Sequence, residues 1–282
     1  MTMKSRERLR SLRGIDLEPK LPTGLPTDPN PERHARYRWA AQVVAGGRVL
    51  DAACGTGGGT AMLAPTAGEA VGIDFSPAAI RDARRNHGEQ AEFREGDLRD
   101  LPFDDVEFDH VVCFEAIAHV SEPEPVLDQL RRVLRPGGVL LISAPNSAVY
   151  PPGNPLHLSQ IATERLESLL AARFERVAIH RQQTYFASLL GTAQMLGHDD
   201  PAQPINAQVA KLSGGAPGSE LHAVAVASDG ELPPPPAWIV LAEDVDHKRR
   251  QELLEEWQER AVRAEAKALS LSRELRDSRR RE

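Results

Sequence analysis

The sequence predicts an α/β fold in which a doubly wound, mostly parallel sheet carries helices on both faces, and three observations predict it. The segment 48–60 reads RVLDAACGTGGGT, a short apolar run that ends in an acid and enters a glycine-rich turn, the pattern of a buried strand feeding a ligand-cradling loop. From there on, apolar runs of strand length alternate with stretches of helical period, which calls for parallel strands joined by crossover helices. Acids then recur where those strands should end, as Asp51, Asp74 and Asp97.

In chain order, residues 1–30 open with Lys4, Arg6, Arg8, Arg10 and Arg13 and run into LEPKLPTGLPTDPNP; prolines at that density predict a mobile or extended arm. A helix over 31–44 follows, with Asn30 as cap and Pro31 at its first position. It carries His34, Tyr37 and Trp39, which either pack on the sheet or cover a ligand in the glycine loop. Strands are expected at 48–53, 70–74, 91–94, 108–114 and 138–144, and helices near 58–66, 77–87, 123–134 and 163–172. Apolar segments at 176–180 and 221–227 finish the sheet and close a domain over 31–228. A long connection with a helical piece near 186–196 and a glycine-rich end forms an insertion or lid at about 183–219.

After Ser228 the composition changes. Residues 229–237 contain four consecutive prolines, Pro233 to Pro236, a stiff linker. The charged stretch 238–282 places Leu254, Trp257, Ala261, Ala264, Ala268, Leu271 and Leu275 at spacings of three and four. That is the seam of a coiled-coil-like helix, which packs back on the domain or makes a homo-oligomer through 254–275.

The totals bound the function. A net charge of −7 disfavours a general nucleic-acid binder, since phosphate neutralisation needs a basic surface. No apolar run reaches the length of a membrane span, and the basic N-terminus has no apolar core behind it, so neither a span nor a secretory signal is expected. With only two cysteines, Cys54 and Cys113, in 282 residues, a reduced, cytoplasmic protein is the expectation. No Cys and His cluster suggests a metal.

Gly55, Gly57, Gly58 and Gly59 permit positive φ and close approach of a ligand to the main chain, ahead of a helix N-terminus that favours polar or anionic groups. Dinucleotides and S-adenosylmethionine both fit. Asp51, four residues before the first glycine, would repel a pyrophosphate but can help hold a sulfonium and an ammonium. Ala53, in the turn between Asp51 and the glycines, joins the set of cofactor contacts. Asp74, about 20 residues past the loop, is placed to accept from both ribose hydroxyls. Phe75 beside it offers an apolar face to adenine, Asp97 can accept from the adenine amino group, and Leu98 supplies a backbone amide.

With these residues in view, the chain resembles the class I S-adenosylmethionine-dependent methyltransferases. VLDAACGTGGG, VGIDFSP, GDLRDLPF, FDHVVCFEAIAHV and LRPGGVLLISAPN follow one another in that family's order over about 48–146. ERHARYRWA, FEAIAHV and NPLHLSQ extend the likeness over about 32–182, toward a bacterial branch that modifies glycans, other cell-surface molecules and natural products. The resemblance implies a Rossmann-like, seven-stranded sheet with the last strand antiparallel. It also implies S-adenosyl-L-methionine as cofactor and Asp51, Gly55, Gly57, Asp74, Asp97 and Phe114 as its contacts. The chain departs from the branch at Ala118 and Gln160, where acids are common, and at Gly58, where an aromatic is. Loss of an acid between Glu115 and His119 argues against divalent-metal dependence.

A hydroxyl acceptor must lose its proton, so a base within hydrogen-bond reach is expected. His119 and His157 are the candidates, with Glu115 orienting a histidine or touching substrate; Tyr37 and Tyr150 are candidates for closing the site. The reading that follows is an O-methyltransferase acting on a hydroxyl of a sugar, glycan or glycosylated natural product. Another small acceptor is the nearest alternative. A nicotinamide dehydrogenase is disfavoured by Asp51 and by the absence of an evident Tyr and Lys relay. A non-catalytic scaffold organised by its tail is disfavoured by the intact cofactor residues.

Overall fold

The structure, a computed structural model, describes residues 31–149, 158–183 and 220–235. The arm at 1–30, Tyr150, His157, most of the 183–219 insertion and the charged helix with its seam lie outside the described residues. Helix α1 (Pro31–Val43) precedes β1 (Arg48–Ala52), α2 (Gly58–Leu63), β2 (Glu69–Asp74), α3 (Pro77–His87) and β3 (Glu92–Glu95). Then come β4 (Phe108–Phe114), a 3₁₀ turn (Ala116–His119), α4 (Pro123–Val133), β5 (Leu134–Pro145), α5 (Thr163–Ala171), β6 (Arg176–Gln182) and β7 (His222–Ser228).

The seven strands form one sheet in the order β3-β2-β1-β4-β5-β7-β6. All pairings are parallel except those of β7, which runs antiparallel to both β5 and β6. Order reverses beside β1, so the crevice at the carboxyl ends of β1 and β4 is where a fold of this kind takes its ligand. Because β7 is reversed, its first residue, His222, lies at that same carboxyl edge, opposite Pro145 of β5 and Gln182 of β6.

Alternation along each strand separates two cores. Leu50, Val111, Leu140, Ile142 and Ala225 face α4 and α5, whose Val126, Leu127, Leu130, Leu166 and Leu170 are buried against them. Val49, Val112, Leu141 and Val226 face the other way, onto Tyr37, Trp39 and Ala40 of α1 and Leu63 of α2. Helix α3 starts where Ser76 accepts from the Ala79 amide and Pro77 takes the first turn, and it ends among Arg84, Arg85 and His87, cations suited to a helix C-terminus.

The observed elements differ from the expected ones mainly at β5. The segment RPGG reads as a turn, yet the strand already starts at Leu134, which pairs with Phe108. A register shift between Phe108 and His110 absorbs the irregular stretch, with Gly137 at φ 75°. The 3₁₀ turn after β4 is too short to leave a periodic signature.

Candidate active site

The glycine loop is built around buried carboxylates. Asp51 is fully buried, and its two oxygens accept from the Thr60 hydroxyl at 2.6 Å and the Tyr37 hydroxyl at 2.9 Å. Burial raises its pKa, while the Thr60 and Tyr37 hydroxyls pull it back. Its carboxylate is thus turned toward the protein and fixes the loop from behind, tying α1 to the start of α2. Tyr37 lies edge-on to Phe114, with ring centroids 5.1 Å apart. A Cβ at Gly59 would fall inside the Tyr37 ring, and one at Gly57 would strike Ala83 and Phe93. Those two glycines therefore serve packing.

Gly55 and Gly58 behave differently. A Cβ at either would meet nothing within 4 Å, so here the loop faces open space. Gly55 sits at φ 55°, and Ala53 at φ 66°, a conformation that costs a residue with a side chain. Asp74 spans the mouth, its Oδ2 accepting from the Gly55 amide and its Oδ1 from the Ser76 amide, each at 2.9 Å. Next to it Phe75 is 74% exposed, an aromatic face held out at a strand end. An open glycine cradle, an acid at its lip and an uncovered aromatic ring suit a nucleoside-bearing ligand.

Asp97 stands further along the same edge, where Arg99 Nε and Nη2 reach its oxygens at 2.5–3.1 Å. The Arg99 guanidinium holds its carboxyl below the usual range. Leu98 is half-buried against the larger core. The two cysteines are buried and free, and burial pushes both thiols up, Cys113 to about 12, so neither is a poised nucleophile.

Across β4 the character of the site changes. Glu115 has φ 66°, the left-handed conformation in a residue that is not glycine, at the end of a strand. Its Oε1 accepts from Arg36 Nη1 at 2.6 Å and from the Ser143 hydroxyl at 2.7 Å. Arg36, almost wholly buried, also donates through Nε to Gln182 at 2.6 Å, and Gln182 donates to the Glu32 carbonyl at 2.8 Å. His222 Nε2 lies 3.6 Å from Glu115 Oε2 and 4.0 Å from Glu32 Oε2. Sequence reasoning missed Arg36, Gln182, Ser143 and His222. His119 is exposed at the end of the 3₁₀ turn. The Leu158 and Ser159 amides donate to the Ala118 carbonyl, so the chain leaving the His157 segment lies against that turn. Trp39 packs edge-on to His180, in keeping with a core role.

Residues 50–142 match the family model described as Methyltransferase domain. The fold is that of a methyltransferase domain. The open cradle, Asp74 and Phe75 fit S-adenosyl-L-methionine, the cofactor that a methyltransferase domain implies. Among curated relatives, a probable S-adenosylmethionine-dependent methyltransferase of Mycolicibacterium smegmatis is 37% identical over 145 residues, covering 49% of this chain and 56% of that protein. A demethylmenaquinone methyltransferase of Clavibacter sepedonicus is 38% identical over 143 residues, covering 48% and 58%. The match thus spans little more than half the length of these relatives. The solved PH0226 protein of Pyrococcus horikoshii shares the fold, with a TM-score of 0.50 and 22% identity over 72% of this chain and 93% of that one.

Proposed function

We propose that this protein transfers a methyl group from S-adenosyl-L-methionine to a hydroxyl of a sugar, glycan or glycosylated natural product. The observation that carries the reading is the contrast along the carboxyl edge. An open glycine cradle with Asp74 and an exposed Phe75 stands on one side of β4, and a cluster of charged and amide side chains stands on the other.

When bound, the cofactor supplies an electrophilic methyl on a sulfonium whose sulfur is already a good leaving group. Asp74 would hold the ribose hydroxyls and Phe75 would cover the adenine, with Asp97 and Leu98 at its edge. The loop from Ala53 through Gly57 would cradle the amino-acid end, backed by Asp51, whose partner Tyr37 packs edge-on to Phe114. An acceptor would then be met by the residues at the carboxyl ends of β4 and β5. Positioning an acceptor oxygen there supplies much of the acceleration, on the order of 7 to 11 kcal/mol in favourable cases. Glu115 and His119 are the ionisable groups that the turn after β4 offers to the acceptor hydroxyl, and His157 keeps its place as a candidate from sequence.

Glu115, partly exposed and aimed by Arg36 and Ser143 through Oε1, favours a hydroxyl-bearing acceptor that can donate to its carboxylate. A second reading, an apolar acceptor such as an isoprenoid quinone, draws on the name of the Clavibacter relative and on two exposed apolar residues, Leu158 against the 3₁₀ turn and Val149 shortly after β5. Transfer of labelled methyl to a panel of methyl glycosides, a demethylmenaquinol and a long-chain fatty acid separates the two. Label in the glycosides is expected; label confined to the quinol or the fatty acid overturns the glycan reading.

A further inference from the structure

We propose that His222 stands behind Glu115 as the second member of a proton-accepting pair, so that the acceptor's proton passes to Glu115 Oε2 and on to His222 Nε2. This rests on the methyltransferase reading and deepens it. The reversed strand β7 carries His222 to the carboxyl edge, two strands past β4 and away from Asp74 and Phe75, the side that the proposed function leaves to the acceptor. The side chain of Glu115 is 32% exposed and that of His222 only 6%, so Glu115 can touch an acceptor and His222 is reached through it. Glu115 Oε1 is committed to Arg36 and Ser143, which aims the carboxylate and leaves Oε2 on the side of His222. The left-handed backbone at Glu115 is a cost that holding this carboxylate in place accounts for.

The proton balance is simple. As the acceptor oxygen bonds to the methyl carbon, the carbon–sulfur bond breaks with its electron pair left on sulfur, the acceptor's O–H bond breaks, and the proton goes to Glu115 Oε2 and from there to His222 Nε2. His222 is flanked by Glu32 and Arg36 of α1, Glu115 after β4 and Gln182 of β6. Burial lowers its pKa, with Arg36 acting in the same direction, whereas Glu115 and Glu32 raise it. Burial thus favours the neutral imidazole, and an imidazolium formed there has two carboxylates beside it.

The test uses the full-length protein with S-adenosylhomocysteine bound and histidine ¹⁵N resonances, His222 being assigned by His222→Asn. The His222 titration midpoint should lie below that of free imidazole and fall by about a further half to one pH unit in Glu115→Gln. A midpoint unmoved by that substitution overturns the pairing whatever the acceptor panel returns. On a methyl glycoside that turns over, His222→Asn and His222→Gln should lower kcat by about 10- to 100-fold, shift the acidic limb of the kcat profile and leave KM for S-adenosylmethionine unchanged. A kcat within about twofold of wild type with an unmoved acidic limb contradicts the role. Both variants should bind S-adenosylmethionine as the wild type does. Absence of that binding in the wild-type protein marks failure of the underlying reading, not of the pair.

Discussion

The two halves of the carboxyl edge are built by different means. On the β1–β2 side, the carboxylates are held by neutral donors close by in sequence: Asp51 by Thr60 and Tyr37, Asp74 by the Gly55 and Ser76 amides. On the β4–β7 side, Glu115 is held by Arg36, 79 residues away, and Arg36 by Gln182, 146 residues away. The first half is a local device for a ligand whose chemistry does not vary. The second is assembled from one helix and four strands, so its shape and charge can change without disturbing the cradle, which suits the half that selects an acceptor.

Substitutions can break this division, and the largest effect is expected at the point where the two halves meet. Gly59→Val would drive the Tyr37 ring off the loop and release its bond to Asp51. A loss of about 3 kcal/mol in denaturant unfolding, with weakened cofactor binding, is expected from overpacking there. Asp74→Asn should lower affinity for S-adenosylmethionine by about 10- to 100-fold, the weight of a hydrogen-bonded charge, measured by calorimetry. Arg36→Met should do the reverse. Removing the cation from a partly exposed pair is expected to cost about 2 kcal/mol of stability, with cofactor affinity changed by less than about threefold. If Arg36→Met instead abolishes cofactor binding, the halves are not separable.

Smaller effects sharpen the picture. Phe75→Ala, at an exposed position, should leave stability within about 0.5 kcal/mol of wild type and weaken cofactor binding about fivefold. Tyr37 gives a pH signature. Burial, first, and the neighbouring Asp51 push its pKa well above the ordinary tyrosine value. The unfolded chain releases that proton near the ordinary value while the folded chain retains it. This contribution to stability is therefore intact below pH about 10 and lost as pH rises further, at up to about 1.4 kcal/mol per pH unit. Tyr37→Phe should flatten that alkaline slope in chemical unfolding.

The same division explains what could be read in the amino-acid order. Asp51, Asp74 and the glycines are legible because each ends or follows an apolar run at a short, fixed spacing, and strand alternation puts those ends on one edge. The partner of Asp51 is less so: Tyr37 reads as a core or cover residue on its helix, and only packing against Gly59 brings its hydroxyl to the acid. Arg36 looks like one more surface arginine in ERHARYRWA, because nothing local announces that its guanidinium is buried. His222 sits in a run, LHAVAVAS, that reads as an ordinary strand. Its importance depends on that strand's direction and on Glu115 and Glu32 arriving from distant parts of the chain. His119, by contrast, was conspicuous in sequence because it follows a strand that the pattern makes plain.

Calorimetry with S-adenosylmethionine, S-adenosylhomocysteine and NAD, on the wild type and on Asp74→Asn, tests the central claim most directly. Both sulfur nucleosides should bind the wild type, each should be weakened by Asp74→Asn, and NAD should give no heat. Binding of NAD in place of the two sulfur nucleosides, or affinities untouched by Asp74→Asn, would contradict the assignment of the glycine cradle.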